Sequence, residues 1–341
     1  MEKNKLDIQT TRIDWVDIAK GYGILFVIFA HLGVGSIGTW IYTFHMPLFF
    51  FLSGYVFSTK YEFKTFIKRK CKSIIIPYFS LGIVMIVFQI LLNCHSDAFE
   101  FRSSLLLFLK LIVQRRFWTL WYIACLFWLN IVFYGLVKKI QSMKFLCFIV
   151  ICMLIAGLLY YHFGGIPLPW NVDVIFPSIL FFFTGYWFKS NYSKFQNYLN
   201  SSKSIIVFLL MGIVNVCFGY FGVKISGKGM EMYDSSYGFP PLTLISAFAG
   251  IICVVIFAHW FNIKCIKYIG KNSMVYYAWH QTIMTPLVRF GLHYIGISSD
   301  TILNNSLLLG KRICELLIII ILSTLCHLFI DKTKLRFMIG H

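Results

Sequence analysis

The sequence predicts an all-α membrane protein, a bundle of about ten transmembrane helices with both termini in the cytoplasm. Hydrophobic residues make up 59% of the 341 residues and charged residues only 13%, a composition outside the range of soluble globular domains. The apolar residues fall in runs long enough to cross a bilayer. The segments between the runs are alternately rich and poor in Lys and Arg, so the net charge of +18 indicates membrane orientation rather than nucleic-acid binding.

The predicted spans follow a polar tail, residues 1–15, that we expect in the cytoplasm. The first two spans, residues 16–34 and 40–57, are separated by a short glycine-containing turn and should form an antiparallel hairpin. A third span, residues 77–93, follows the densest basic cluster of the chain. Further apolar runs are centred near residues 127, 154, 181, 212, 251, 281 and 318. One integral membrane domain over residues 1–341 is the simplest interpretation.

The first predicted span contains three ionisable residues, Asp17, Lys20 and His31. Lys20 and His31 would share a helix face with a rise of about 16 Å between them, and Asp17 lies within about 40° of the same line. Because ionisable groups inside a span are costly, they indicate a functional site. A neutral histidine could take a proton from a hydroxyl, and the lysine could bind phosphate. The alternative is that Asp17 and Lys20 snorkel to the interface and that His31 is structural.

Other candidates lie in the second span, in the basic cluster and in the ninth span. His45 could face His31, or it could be an interfacial histidine of a proline-bent packing helix. Arg69 and Lys72 could bind phosphate, or they could serve orientation and contact with anionic lipid. Asn272 and His280 have a spacing that would line a pocket, although hydrogen bonds between spans would also explain them. Three aromatic residues are expected at the substrate, namely Trp121, Tyr55 and Tyr276. For Trp121, an aromatic belt at the membrane interface is the alternative explanation.

Four blocks of the chain carry a resemblance to a known family: Trp15-Val-Asp17-Ile-Ala-Lys20-Gly with His31, Phe44-His45-Met-Pro47 through Ser53-Gly54-Tyr55, Ile76-Pro77-Tyr78, and Ile269-Gly270-Lys-Asn272-Ser273 with His280. Together they resemble membrane-bound acyltransferase family 3, and within it the sugar O-acetyltransferases such as fucose 4-O-acetylases and capsule or exopolysaccharide acetylases. The resemblance implies a ten-span bundle that moves an acyl group from cytoplasmic acyl-CoA to a carbohydrate hydroxyl. It implies that His31 is catalytic, that Lys20 stands where most members have Arg, and that Arg69 and Lys72 occupy an Arg-x-x-Arg position.

The resemblance leads us to expect an O-acetyltransferase of the bacterial cytoplasmic membrane that uses acetyl-CoA as co-substrate and no metal. The expected partners are a carbohydrate acceptor, membrane lipids and either a second copy or polysaccharide-assembly proteins, with no nucleic acid. Whether His31 acts as a general base or carries the acyl group itself stays open. A transporter of a polysaccharide or small metabolite is the alternative function, and a scaffold for other polysaccharide enzymes is a third. The expected site residues are His31, Lys20, Asp17 and His45 for catalysis, Lys20, Arg69, Lys72, Asn272 and His280 for the co-substrate, and Trp121, Tyr55 and Tyr276 for the acceptor.

Overall fold

The computed structural model is 83% helical and describes residues 13–96, 100–297 and 305–340. Residues 1–12, most of the predicted tail, lie outside the described residues. Two short strands, β1 (Met230–Glu231) and β2 (Ser236–Tyr237), pair antiparallel. The helices are α1 (Asp14–His31), α2 (Ser36–Tyr42), α3 (His45–Tyr55), α4 (Phe63–Lys70), α5 (Ile76–His95), α6 (Phe101–Val113), α7 (Trp121–Lys139), α8 (Met143–His162), α9 (Ile175–Leu199), α10 (Lys203–Ser226), α11 (Pro240–Trp260), α12 (Lys264–Lys271), α13 (Ser273–Trp279), α14 (Thr285–Tyr294) and α15 (Asn305–Lys332).

Seven helical stretches in the described part of the chain are long and apolar enough to cross a membrane. They correspond to the predicted third to eighth spans and to the tenth. The other three predicted spans are helical but fall short for different reasons: α1 carries Asp14, Asp17 and Lys20, α2 and α3 are 7 and 11 residues long, and α12 to α14 are short and interrupted. The protein is thus an all-α, multi-pass membrane protein, and the number ten stays a prediction. The seven stretches are Phe63–His95, Phe101–Lys139, Met143–His162, Pro169–Leu199, Lys203–Ser226, Pro240–Trp260 and Leu307–Lys332.

Parts of the remaining segments, α1 and α3, lie inside the bundle. Ten of the eleven residues of α3 are buried, and buried residues occur around the whole circumference of α1. In contrast, only 22% of the apolar window of α8 and 17% of that of α10 is buried inside the protein. Lipid satisfies apolar side chains as well as protein does, so helices such as α8 and α10 can form the outer wall while α1 and α3 stay inside.

Glycine allows two pairs of these helices to meet backbone to backbone. A Cβ on Gly270 would lie 1.7 Å from the carbonyl oxygen of Asp17, and one on Gly21 would lie 2.1 Å from that of Ile266. A second pair joins α3 to α9, where a Cβ on Gly54 would lie 1.8 Å from the carbonyl oxygen of Phe182. Small residues at such crossings are the usual means by which membrane helices approach closely. Gly21 and Gly270 therefore allow α12 to pack closely against α1.

Proline explains two irregular turns. A π-turn over Cys71–Ile75 precedes Pro77, and another over His280–Met284 precedes Pro286. Proline has no N–H to give to the carbonyl four residues earlier, and its ring crowds that carbonyl, so the preceding turn widens. The second π-turn begins at His280.

Helix α6 has no counterpart among the predicted spans. It packs beside α5, where the Tyr78 hydroxyl donates to the Leu111 carbonyl at 2.5 Å. A loop over residues 114–117 follows α6 and leads through a short 3₁₀ turn, Trp118–Leu120, into α7. The apolar side chains of α6, such as Leu105 and Ile112, are mostly exposed, as expected for a helix that contacts lipid.

Candidate active site

Three histidines, one from each of the three segments that are not among the seven long stretches, meet at one place. His31 is the last residue of α1, His45 is the first of α3, and His280 begins the π-turn after α13. The ring of His31 lies 4.9 Å from that of His280 and 6.4 Å from that of His45, centroid to centroid. Residues up to 249 positions apart in the chain thus form one cluster.

Backbone hydrogen bonds fix the orientation of all three rings. The Nδ1 atom of His31 lies 2.8 Å from the Val27 carbonyl oxygen, that of His45 lies 3.0 Å from the Ile41 carbonyl oxygen, and that of His280 lies 2.8 Å from the Tyr277 carbonyl oxygen. A carbonyl oxygen only accepts hydrogen bonds, so Nδ1 must carry the proton in each neutral ring. Each Nε2 atom then has its lone pair available as a proton acceptor.

His280 is the most enclosed of the three. Its side chain is 0% exposed, and its Nε2 atom has no hydrogen-bond partner among the described residues. His31, in contrast, is half-buried. Because buried polar atoms are normally paired, the lone Nε2 of His280 indicates a place for a donor from a ligand or from water.

The histidines line a cavity of about 460 Å³, a volume within the range of small-ligand sites. Aromatic side chains, sulfur atoms and amides form most of its wall, with two carboxylates. The lining residues are Val27, His31, Tyr42, His45, Met46, Gln89, Trp118, Thr119, Trp121, Met230, Glu231, Met232, Tyr233, Asp234, Tyr277, His280, Gln281, Thr282 and Pro286.

One wall of the cavity is held by a buried network around Arg116. The guanidinium pairs with Asp173 at 2.5 Å and donates to Asn171 at 2.8 Å, to the Tyr161 hydroxyl at 3.2 Å and to Ser235. The side chain of Arg116 is 9% exposed and that of Asp173 is 0% exposed. This network joins the loop before α7 to the turn before α9 and to the β1–β2 hairpin.

The same region contains uncommon backbone conformations. Gln114, Arg116 and Trp118 have φ values of 43°, 53° and 47°, and Trp170 and Asn171 have 57° and 52°. Left-handed conformations of bulky residues are rare. Each costs about 1–3 kcal/mol and persists only where the surrounding structure imposes it. The Arg116 network supplies this constraint, and as a result Trp118 and Trp121 lie in the cavity wall.

Lys20 and Asp17 lie toward the other end of α1, about 16 Å and about 21 Å from His31 by helix rise. The ammonium groups of Lys20 and Lys70 are close enough for their charges to interact. Asp17 is 7% exposed, and its Oδ2 atom has no hydrogen-bond partner among the described residues. In the stripe predicted on α1, Asp17 is buried while Lys20 and His31 are partly exposed, with basic groups near the start of the stripe and the histidine cluster at its end.

The predicted co-substrate residues are not gathered in the cavity, His280 excepted. The guanidinium of Arg69 is exposed and lies 4.4 Å above the ring of Tyr61. Lys72 is exposed in the first π-turn, and the Asn272 amide donates to the Tyr268 carbonyl at 3.0 Å. Their roles stay predictions, and Lys70, closer to Lys20, is the basic residue that the sequence did not single out.

Of the three predicted acceptor residues, only Trp121 lines the cavity. Tyr55 packs edge-on against Trp15 with ring centroids 4.7 Å apart, in an aromatic cluster near the start of α1. Tyr276 is fully buried and its hydroxyl lies 2.7 Å from that of Thr324 on α15. The structure thus surrounds Tyr55 and Tyr276 with helix contacts.

Four residues near the cavity were not assigned from the sequence: Tyr42, Glu231, Asp234 and Arg116. The ring of Tyr42 lies 5.5 Å from that of His31, centroid to centroid. The scarcity of acidic residues, only 13 in the chain, is the sequence signal that could have drawn attention to Glu231 and Asp234. Burial and the neighbouring Asp234 raise the pKa of Glu231 above its ordinary value. Across residues 13–96, 100–297 and 305–340, no group of three or more His, Cys, Asp or Glu residues is arranged to hold a metal ion.

Comparison with known proteins gives one match. The model of a protein family described as "Acyltransferase domain" matches residues 13–331, which is nearly the whole chain and includes all three histidines. No curated protein and no solved structure matches the chain.

Proposed function

The chain belongs to this acyltransferase family, and we propose that it is a membrane O-acetyltransferase that moves an acetyl group from acetyl-CoA to a hydroxyl of a carbohydrate. The observation that carries the proposal is the meeting of His31, His45 and His280 at a cavity, with each Nδ1 bonded to a backbone carbonyl. This arrangement leaves the Nε2 lone pair of each ring available in a site where a proton acceptor is needed.

His31 is the general base of the proposed reaction. Its Nε2 accepts the proton of the acceptor hydroxyl while the oxygen attacks the thioester carbonyl. The new C–O bond forms, the C–S bond breaks, and the proton on His31 passes to the sulfur of the leaving thiol. His31 suits this role better than the other two because it is half-buried, whereas His45 and His280 are 2% and 0% exposed. The buried pair would hold the ring of His31 and the incoming hydroxyl in place.

The donor's phosphates belong at the opposite end of α1 in this proposal. Lys20 and Lys70 lie there, and Arg69 and Lys72 are exposed on the same helical segment as Lys70. Charge-assisted contacts from several cations favour phosphate, and an extended pantetheine arm is comparable in length with the roughly 16 Å of helix that separates Lys20 from His31. Removing the charges of Lys20 and Lys70 should therefore raise the KM for acetyl-CoA more than it lowers kcat.

We further propose ten spans with both termini in the cytoplasm of a bacterial cell, which places the basic end of α1 inside. The support is the alternation of Lys-rich and Lys-poor loops. Reporter fusions at Lys139 and Lys267 should both score cytoplasmic. A periplasmic score at either position would contradict this topology.

Replacing His31 tests the proposed activity. Purified His31→Gln protein in lipid nanodiscs should lose about 10²- to 10⁴-fold in acetyl transfer from radiolabelled acetyl-CoA. His162→Gln is the matched control, because His162 is exposed at the end of α8, and its activity should equal that of the unchanged protein. Wild-type turnover by His31→Gln would overturn the role of His31.

The same assay separates the two roles of His31. If the histidine carries the acetyl group, label should stay on the protein after donor removal when no acceptor is present. If it acts as a base, the protein should stay unlabelled. A transporter of glycans would give neither transfer nor label.

A further inference from the structure

The β1–β2 hairpin forms part of the cavity wall. Met230 pairs with Tyr237 and Glu231 with Ser236. Met230, Met232 and Tyr237 are 1%, 2% and 7% exposed, so apolar side chains seat the hairpin on the bundle. The hairpin is therefore a built part of the site rather than a loose loop above it.

Arg116 fastens the turn of this hairpin. Its guanidinium donates to the Ser235 hydroxyl, and the Tyr233 hydroxyl donates to the Arg116 carbonyl at 2.5 Å. Ser235 itself has a φ of 57°, a left-handed conformation that needs such support. The two acids of the hairpin, Glu231 and Asp234, are thereby held at fixed positions beside the histidines.

Glu231 and Asp234 set the charge of the cavity. They are the carboxylates among its described lining residues, which include no Lys or Arg. Both interact electrostatically with Tyr42, whose ring lies 5.5 Å from that of His31. Negative charge thus lies close to the place where the acceptor hydroxyl must bind.

We propose that this hairpin selects the acceptor: it binds a polyhydroxylated group that carries no negative charge, a neutral or amino sugar, and excludes uronic acids and sugar phosphates. The inference rests on the proposed function and narrows its substrate class. Ionised carboxylates only accept hydrogen bonds, so sugar hydroxyls and a protonated amine are suitable partners. A carboxylate or phosphate on the acceptor would meet like charge in a partly desolvated cavity, where repulsion costs far more than in water.

Other features of the cavity fit a sugar ring. Trp118 and Trp121 offer aromatic faces for its apolar C–H surface. The Nε2 atom of His280, fully buried and without a partner among the described residues, would accept from a sugar hydroxyl. The volume of about 460 Å³ suits one or two sugar units.

The hairpin would also keep the two substrates apart. Coenzyme A carries phosphates, which suit the basic end of α1 near Lys20 and Lys70 and would be repelled by Glu231 and Asp234. Opposite charges at the basic end of α1 and in the cavity would therefore favour different entrances for the donor and the acceptor.

Two probes that differ by one carboxylate test the proposal: methyl β-glucoside and methyl β-glucuronide. The readout is protection of His31 from carbethoxylation by diethyl pyrocarbonate, followed by mass spectrometry of its peptide. This readout needs no acyl transfer. In the unchanged protein, the neutral glycoside should protect His31 at a concentration about tenfold lower than the glucuronide does.

The variant Glu231→Gln with Asp234→Asn should remove most of this difference by letting the glucuronide protect. Glu100→Gln is the control, since Glu100 is an exposed carboxylate that does not line the cavity, and it should keep the wild-type ratio. Equal protection by both probes in the unchanged protein, protection by neither, or an unchanged ratio in the double variant would overturn the proposal. If the probes protect His31 as expected but neither probe is acetylated, the result would support the acceptor subsite and contradict the proposed acetyltransferase activity.

Discussion

Helices α1 and α10 occupy opposite surroundings within the same bundle. Along α1, buried residues occur on every side and include a carboxylate, Asp17. Along α10, 17% of the apolar window is buried, and side chains such as Ile213 are exposed. Lipid offers no hydrogen-bond partners, whereas protein neighbours can satisfy polar groups. The comparison teaches that in this chain α10 exposes apolar side chains, whereas α1, which carries the ionisable residues, is packed among other helices.

The ion pairs give the largest expected contrast between inside and outside. Arg116→Gln leaves Asp173, which is 0% exposed, as a buried charge without its main partner, and breaking such a pair costs about 3–5 kcal/mol. Arg336→Gln removes the partner of Asp331, where both side chains are exposed, and should cost less than about 1 kcal/mol. The measurement is the free energy of unfolding in mixed micelles with increasing SDS. Equal losses in the two variants would show that the Arg116 network does not hold the wall.

A matched isoleucine pair tests the comparison with smaller effects. Ile24 on α1 is 0% exposed, and Ile213 on α10 is 61% exposed. Ile24→Ala should lower the free energy of unfolding by about 2–5 kcal/mol, because it leaves a cavity in a packed interior. Ile213→Ala should change it by less than about 0.5 kcal/mol, because lipid chains fill the space. A large loss for Ile213→Ala would mean that α10 contacts protein, such as a second copy of the chain.

Much of the fold follows from hydropathy, and part of the site follows from its exceptions. The apolar runs locate the seven long helices, and the ionisable stripe on α1 draws attention to Asp17, Lys20 and His31. The short turn between the first two spans leaves a facing of His31 and His45 as one of two alternatives, and the two rings lie 6.4 Å apart. Such inferences are possible because local sequence determines the helix and the turn.

The rest depends on contacts between distant segments. His280 was assigned to the co-substrate because its own span showed only a polar face, and nothing local indicates that the π-turn brings it within 4.9 Å of the His31 ring. Arg116 resembled one more basic residue of a loop, since its partners Asp173 and Ser235 lie 57 and 119 positions away. Tyr276 had the right spacing for a pocket, but α15 occupies that face through Thr324.

The glycines offer the sharpest and smallest test, because the same substitution should have opposite signs in the two regions. In Gly270→Ala, the new Cβ would lie 1.7 Å from the Asp17 carbonyl oxygen, so α12 must move away from α1. Overpacking of this kind costs about 1–3 kcal/mol. Gly212 on α10 has no atom within 4 Å of the corresponding position, and alanine favours a helix over glycine by about 0.5–1 kcal/mol. Gly212→Ala should therefore leave the protein as stable as before or slightly more stable.

The KM for acetyl-CoA gives a second readout, because Gly270 contacts the backbone of Asp17, and Asp17 lies three residues before Lys20. Separation of α12 from α1 should raise the KM for acetyl-CoA in Gly270→Ala and leave it unchanged in Gly212→Ala. If both variants gain stability and keep their KM, the close crossing of α1 and α12 does not exist in the membrane.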